Sequence, residues 1–171
     1  MLILVLLLLV AFVSWSATAL YLRFAIVKQL LDSPDARSSH SRDTPTGAGI
    51  CLALAFFVGL ALSNQFGLIS AGDALIIALP AGVLSLLGFW DDHSPLSAWI
   101  RLGVQLACSG WLILWYHYSS NIFGGGASGC LAMSLAVIAM VWLINLYNFM
   151  DGIDGIASAE AFSVCIGWCL I

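Results

Sequence analysis

The sequence predicts an all-α fold: a polytopic integral membrane helix bundle of about five complete transmembrane helices and a truncated sixth, with the N-terminus outside. Three observations carry this. First, 62% of the 171 residues are hydrophobic and only 8% charged, and the mean hydropathy of +1.05 is more than a soluble core of this size can absorb. Second, apolar runs near the ~20 residues needed to cross a bilayer recur along the chain, separated by short polar segments. Third, four of the five Lys and Arg fall in the first polar segment and the fifth, Arg101, just after the third, so alternating spans put them all on one side.

Met1–Leu22 is the first span. It lacks the basic leader and small-residue cleavage site of a signal peptide. The polar segment 23–46 follows. It opens with an amphipathic piece (Arg23, Phe24, Ile26, Val27, Lys28, Leu30, Leu31) suited to the interface and continues as a turn-rich stretch, Asp32–Gly49. Later apolar runs cover Gly49–Ser63, Ala74–Trp90, Ala98–Tyr116 and Cys130–Leu146, with a sixth from Ile156 onward. The whole, 1–171, reads as a single membrane domain.

With spans alternating, segments 23–46, 91–97 and 148–155 share one side. Arg23, Lys28, Arg37, Arg42 and Arg101 all lie there, as do eight of the nine acids, Asp73 being the exception. The positive-inside rule makes that side cytoplasmic. Five basic residues leave no electrostatic footprint for nucleic acid, which is excluded as a partner. The five cysteines lie in or beside apolar runs with no C-x-x-C spacing, so they read as small packing residues. Gly124-Gly125-Gly126, on the opposite side, reads as a turn.

The polar stretch around which the chain is organised is Asn145–Gly155, N-L-Y-N-F-M-D-G-I-D-G. Acids at a membrane boundary are costly unless paired, solvated or bound to a cation. Asp91-Asp92 ends the third span, and Asp151 and Asp154 follow the fifth. Both spans run towards the same face, so both pairs sit at helix C-termini, where the dipole disfavours a carboxylate by ~0.3–1 kcal/mol. Oxygen ligands from two loops, completed by a phosphate, suit Mg²⁺, with Mn²⁺ the alternative. The plainer reading has these acids stop the helices and face water. Asn145, Asn148, Asp151 and Asp154 are each three apart, and converge only if the helix ends among them, as Gly152 and Gly155 encourage. Ser38-Ser39-His40 with Arg37 and Arg42 offer phosphate or nucleotide contacts, or form a solvated loop. Thr44–Gly49 opens the second span as a candidate anion-binding helix N-terminus.

Four motifs, R-S-S-H at Arg37–His40, T-P-T-G-A-G at Thr44–Gly49, D-D at Asp91-Asp92 and N-F-M-D-G-I-D-G at Asn148–Gly155, together resemble the bacterial polyprenyl-phosphate N-acetylhexosamine-1-phosphate transferases. These belong to glycosyltransferase family 4 and include phospho-N-acetylmuramoyl-pentapeptide transferase. The resemblance runs through all 171 residues but reaches only the N-terminal half of such an enzyme. It implies transfer of a sugar-1-phosphate from a UDP-N-acetylhexosamine to undecaprenyl phosphate with Mg²⁺, releasing UMP at the cytoplasmic face of the bacterial inner membrane, as in O-antigen initiation. It implies Asp91, Asp92, Asp151 and Asp154 as catalytic, with Asp92, Asp151 and Asp154 as metal ligands. It implies substrate contacts from Asn148, Arg37, Ser39, His40, Arg42 and Thr44. The chain departs from the family in the first loop: the basic residue many members carry after Pro-Thr-Pro is absent from Thr44–Gly49. The resemblance allows a homodimer. Two other readings stand beside it: an inactive fragment or subunit needing a partner chain, and a transporter-like module. The latter predicts acids at mid-span rather than at one face.

Overall fold

The computed structural model describes residues 1–32, 44–150, 158–160 and 162–164. The fold is the expected all-α bundle. Five helices follow one another in the chain: α1 (Leu2–Lys28), α2 (Gly49–Gln65), α3 (Ala71–His93), α4 (Ala98–Ser120) and α5 (Gly126–Met150). Each packs against the next. Four of them, all but α2, are long and apolar enough to cross a membrane. At 17 residues and a rise of 1.5 Å per residue, α2 measures about 25 Å, slightly short of a ~30 Å hydrocarbon core. The protein is therefore a multi-pass membrane protein. The expected sixth span lies almost wholly outside the described residues, which there form only short helical pieces at 158–160 and 162–164.

The helices start and stop where local chemistry dictates. Ser70 caps α3: its Oγ accepts from the Asp73 amide at 3.1 Å and its hydroxyl donates to Asp73 Oδ2 at 2.7 Å, a reciprocal arrangement close to a capping box. Ser97 caps α4 by accepting from the Ile100 amide. At its far end α4 closes on Asn121, which adopts the left-handed conformation (φ 49°) that Asn tolerates better than most residues. The turn into α5 then passes through the Gly124–Gly126 run, as expected.

Three boundaries differ from the sequence reading: α3 runs on through Asp91–His93 and α5 through Asn148–Met150, both read as loop, and α1 is longer than expected. Residues Arg23–Lys28 form no separate interfacial piece; they are the last turns of α1. The apolar character of Phe24, Ile26 and Val27 carries the helical pattern past the first two charges, and the helix stops only at Gln29, left-handed with φ 56°. The Leu30 amide then bonds back to the Ala25 carbonyl at 2.9 Å, the closing bond of a Schellman turn.

Leu7, Leu8, Phe12 and Trp15 of α1, Leu86 and Trp90 of α3, and Trp142 of α5 are all largely exposed, as suits surfaces that meet lipid or further helices. The described interior is made mostly of small groups, Ala25, Cys51, Ala55, Cys108 and Ser109, with Ile76, Val141 and Gln105 among the larger buried side chains. With no hydrophobic drive between helices in lipid, close backbone approach over small side chains is what holds them together. A Cβ added at Gly59 of α2 would sit 3.2 Å from Val10 of α1. Cys51 and Cys108 are buried free thiols, in keeping with a packing role.

At the bundle end that carries the α1 C-terminus, the chain makes its only described strand pairing. Leu31–Asp32 pairs antiparallel with Thr44–Pro45, in register Leu31↔Pro45 and Asp32↔Thr44. The Thr46 amide adds a bond to the Leu30 carbonyl at 3.2 Å. This two-residue ladder closes the base of the 33–43 segment. Just beyond it, the Tyr21 hydroxyl of α1 donates to the Thr46 carbonyl at 2.7 Å, and Gly47 is buried. Gly47 has φ 79°, and a Cβ there would lie 2.5 Å from Tyr21 Oη and 3.3 Å from His93 Cε1 of α3. Only glycine satisfies both the backbone angle and the space. The Thr46-Gly47 turn is thus wedged between α1 and α3.

Gly47→Ala should therefore destabilise the protein by about 2 kcal/mol or more, the left-handed strain and the forced displacement of Tyr21 acting together. Tyr21→Phe, which removes one hydrogen bond and keeps the ring, should cost only about 1 kcal/mol. Thermal unfolding in detergent gives the ranking; a Gly47→Ala protein melting with the wild type would show that the wedge is not tight.

Candidate active site

The site candidates gather at this same end of the bundle. α1, α3 and α5 finish there, and α2 and α4 begin there. Contacts prove the juxtaposition: Tyr21 with Thr46, Gly47 with His93, Asp91 with Arg101, and Asn145 with Gln105.

The last turn of α3 carries Asp91, Asp92 and His93. Asp91 is committed on both oxygens. Its Oδ1 accepts from the Leu96 amide at 2.8 Å, and its Oδ2 accepts from Arg101 Nη1 at 2.6 Å. It thereby braces the turn Ser94–Ser97 and pins the start of α4 to the end of α3. Asp91 is one-fifth exposed and Arg101 a little over one-third. Neither charge is favoured by its own helix, since the acid sits at a C-terminus and the base at an N-terminus. Each is stabilised by the other.

Asp92, the next residue, is exposed. It directly precedes His93, whose ring borders the Gly47 position of the Tyr21–Thr46–Gly47 wedge. His93 Nδ1 lies 2.9 Å from the Phe89 carbonyl. A carbonyl only accepts, so Nδ1 carries the proton in this contact and the other nitrogen, Nε2, keeps its lone pair when the ring is neutral. The ring stacks at 4.4 Å on Phe89 and packs against Gly47.

The start of α2 faces this cluster. Ala48 occupies its N-cap and provides no side-chain hydrogen bond. The first amides of α2 therefore carry no side-chain cap, and the positive end of that helix dipole lies at the same end of the bundle as Asp92. Thr44 enters this region through its backbone pairing with Asp32.

α5 contributes differently from its sequence pattern. Asn145 and Asn148 both lie within the helix, which runs to Met150. Asn145 Nδ2 donates to Gln105 Oε1 of α4 at 2.7 Å and to its own Val141 carbonyl at 2.8 Å. Gln105 is buried. In lipid such an interhelical bond contributes about 0.6–1.7 kcal/mol. Asn145, though itself exposed, is thus a tie between α4 and α5; Asn148, one turn on, is exposed as well.

Of the residues singled out from the sequence, the structure places Asp91, Asp92 and Asn148 at one end of the bundle, together with the backbone of Thr44. Arg37, Ser39, His40, Arg42, Asp151 and Asp154 lie outside the described residues. Among the described residues, no group of three His, Cys, Asp or Glu side chains is arranged to hold a metal. Sequence reasoning missed Tyr21, His93 and Gln105. His93 was signalled by its place directly after the two aspartates, and Gln105 by its polarity inside an apolar span, one turn beyond Arg101. Nothing in the sequence marks Tyr21, whose role depends on where the 44–47 turn docks.

The comparisons with known proteins agree with the motif reading. The model for glycosyl transferase family 4 matches residues 74–171. The chain is 31% identical over 148 residues to the undecaprenyl-phosphate α-N-acetylglucosaminyl 1-phosphate transferase of Thermotoga maritima, covering 86% of this chain and 45% of that protein. It is 27% identical to the probable undecaprenyl-phosphate N-acetylglucosaminyl 1-phosphate transferase of Bacillus subtilis, covering 82% of this chain and 40% of the relative. To the Escherichia coli O157:H7 undecaprenyl-phosphate α-N-acetylglucosaminyl 1-phosphate transferase it is 30% identical, covering 81% and 40%. The chain spans less than half the length of these relatives. No solved structure gives a significant match. The motifs, the helical membrane fold and the matched residues together place the chain in glycosyl transferase family 4, among the polyprenyl-phosphate N-acetylhexosamine-1-phosphate transferases.

Proposed function

We propose that these residues form part of a transferase that moves an N-acetylhexosamine 1-phosphate from a UDP-sugar to undecaprenyl phosphate, releasing UMP and giving undecaprenyl-diphosphate-N-acetylhexosamine. This would be the initiating step of O-antigen or another cell-envelope polysaccharide. The observation that supports it best is the gathering of Asp92, the uncapped start of α2 and the polar end of α5 at one end of an apolar bundle. A phosphate-bearing lipid in the bilayer and a soluble nucleotide meet at such a boundary. The positive-inside distribution of basic residues supports a cytoplasmic position for that end, which in this reading is the cytoplasmic face of the inner membrane.

In the reaction, an oxygen of the lipid phosphate attacks the β-phosphorus of the UDP-sugar. The bond from that phosphorus to the bridging oxygen breaks, and UMP leaves with the oxygen. Catalysis of this kind is mostly positioning and charge neutralisation. A phosphate monoester has a second pKa of ~6, so the attacking group is largely dianionic at neutral pH and needs no strong base. Asp92 therefore serves better as a ligand than as a base. Asp92, Asp151 and Asp154 would be the carboxylates from which Mg²⁺ takes its one or two protein ligands, the rest coming from phosphate and water. Asp91 is the less suited ligand, because Arg101 and the Leu96 amide already engage both its oxygens. When bound, the ion would neutralise charge on the pyrophosphate. The exposed Asn148 would contact substrate, as would Arg37, Ser39, His40, Arg42 and Thr44 of the first loop, and the α2 N-terminus would receive an anionic phosphate oxygen.

Membranes carrying the transferase should release UMP from a UDP-N-acetylhexosamine only when undecaprenyl phosphate and Mg²⁺ are present, and EDTA should stop it. UDP-N-acetylglucosamine, N-acetylgalactosamine, N-acetylfucosamine and N-acetylquinovosamine donors compared side by side identify the sugar; no release from any would refute the assignment. Asp92→Asn should lose activity through a weakened response to Mg²⁺, the pH profile of residual turnover unmoved. An unchanged Mg²⁺ response with a displaced pH profile would instead make Asp92 a base.

A further inference from the structure

α4 carries two polar side chains one turn apart, Arg101 and Gln105, and each reaches a different neighbour. Arg101 Nη1 meets Asp91 Oδ2 of α3 at 2.6 Å, and Gln105 Oε1 accepts from Asn145 Nδ2 of α5 at 2.7 Å. The partners stand directly beside the two acidic motifs. Asp91 is joined to Asp92, and Asn145 is one turn before Asn148 and precedes Asp151 and Asp154 in sequence. Because residues four apart share a helix face, α4 works as a spacer between the two halves of the site.

From this geometry we infer that Arg101 and Gln105 are positioning residues: they hold the α3 acids and the polar end of α5 at the separation and rotation the reaction needs. The alternative is that they only hold the bundle together. Three details favour the first. Arg101 neutralises one of two adjacent carboxylates, so Asp92 is not repelled by an unpaired neighbour. Asp91 uses both oxygens in the brace, which fixes the last turn of α3 and with it the direction of Asp92. Asn145 Nδ2 spends one proton on its own helix and the other on Gln105, an arrangement that sets the rotation of α5 and hence the face on which Asn148 lies. The interior at this level is otherwise apolar, and packing of small apolar groups alone leaves helix rotation weakly specified.

This inference rests on the transferase reading above, and one assay separates the two. Wild-type membranes are given undecaprenyl phosphate, UDP-N-acetylglucosamine and Mg²⁺, with the other UDP-N-acetylhexosamines as alternates, and UMP release is followed. No release from wild type with any donor overturns the transferase reading and the inference with it. Given wild-type release, Arg101→Leu and Gln105→Leu should each lower kcat by about 10²-fold, the effect of a displacement near 1 Å, with KM for the UDP-sugar changed far less. Arg101→Lys, which keeps the charge, and the length-conserving exchange Gln105→Asn with Asn145→Gln should each recover most of the loss. Thermal unfolding of the same variants distinguishes positioning from stability. If the Leu variants melt early yet turn over at the wild-type rate per folded molecule, or if the conservative variants are as slow as the Leu variants, the inference fails.

Discussion

The structure depends on one constraint: charge in this chain is kept out of the apolar middle of the helices, and most of it falls at one end of the bundle or in the segments that join there. Asp91 and Arg101 are the clearest expression of it. Each occupies the helix terminus its own dipole disfavours, by ~0.3–1 kcal/mol, and each is held by the other across the α3–α4 turn. The pair is partly solvated, so its Coulomb energy is modest. Its consequence is geometric: it fixes where α3 ends, where α4 begins, and which way the adjacent Asp92 looks.

Around that turn the remaining elements are fastened by short-range devices. The Tyr21–Thr46 hydrogen bond and the glycine wedge at Gly47 bring the first loop against α3. The Asn145–Gln105 bond brings α5 against α4. Between these polar fastenings the helices meet through alanine, glycine, cysteine and serine, which permit close approach where lipid offers no hydrophobic drive. Precision is thus placed at the bundle end where chemistry is proposed to occur, and the mid-membrane contacts are left generic.

Phosphoryl transfer suits such a scaffold. The chemistry asks for orientation of two phosphate-bearing reactants and for neutralisation of charge, more than for a finely tuned acid or base. Helix termini, a carboxylate in a defined direction and backbone amides at the start of α2 supply those requirements cheaply in sequence. This explains how so few polar residues can serve a site in a chain that is 62% hydrophobic.

The helical membrane class, the approximate spans, the family and the identity of the acidic motifs were legible from the sequence, because apolar run length and motif spacing are local properties. Alternation of spans also brought the polar segments to one side without any coordinates. What the sequence left open was how those residues divide the work. Asp91 and Asp92 are neighbours of identical chemistry, and only the position of Arg101 and the Leu96 amide shows that Asp91 is the one that braces the turn into α4. Asn145 and Asn148 share a motif and a spacing, yet it is Asn145 that Gln105, forty residues away, ties to α4. The roles of Tyr21, Gly47 and His93 likewise arise from docking of α1, the first loop and α3. Contacts between residues distant in the chain are set by helix rotation and packing, and no local pattern encodes them.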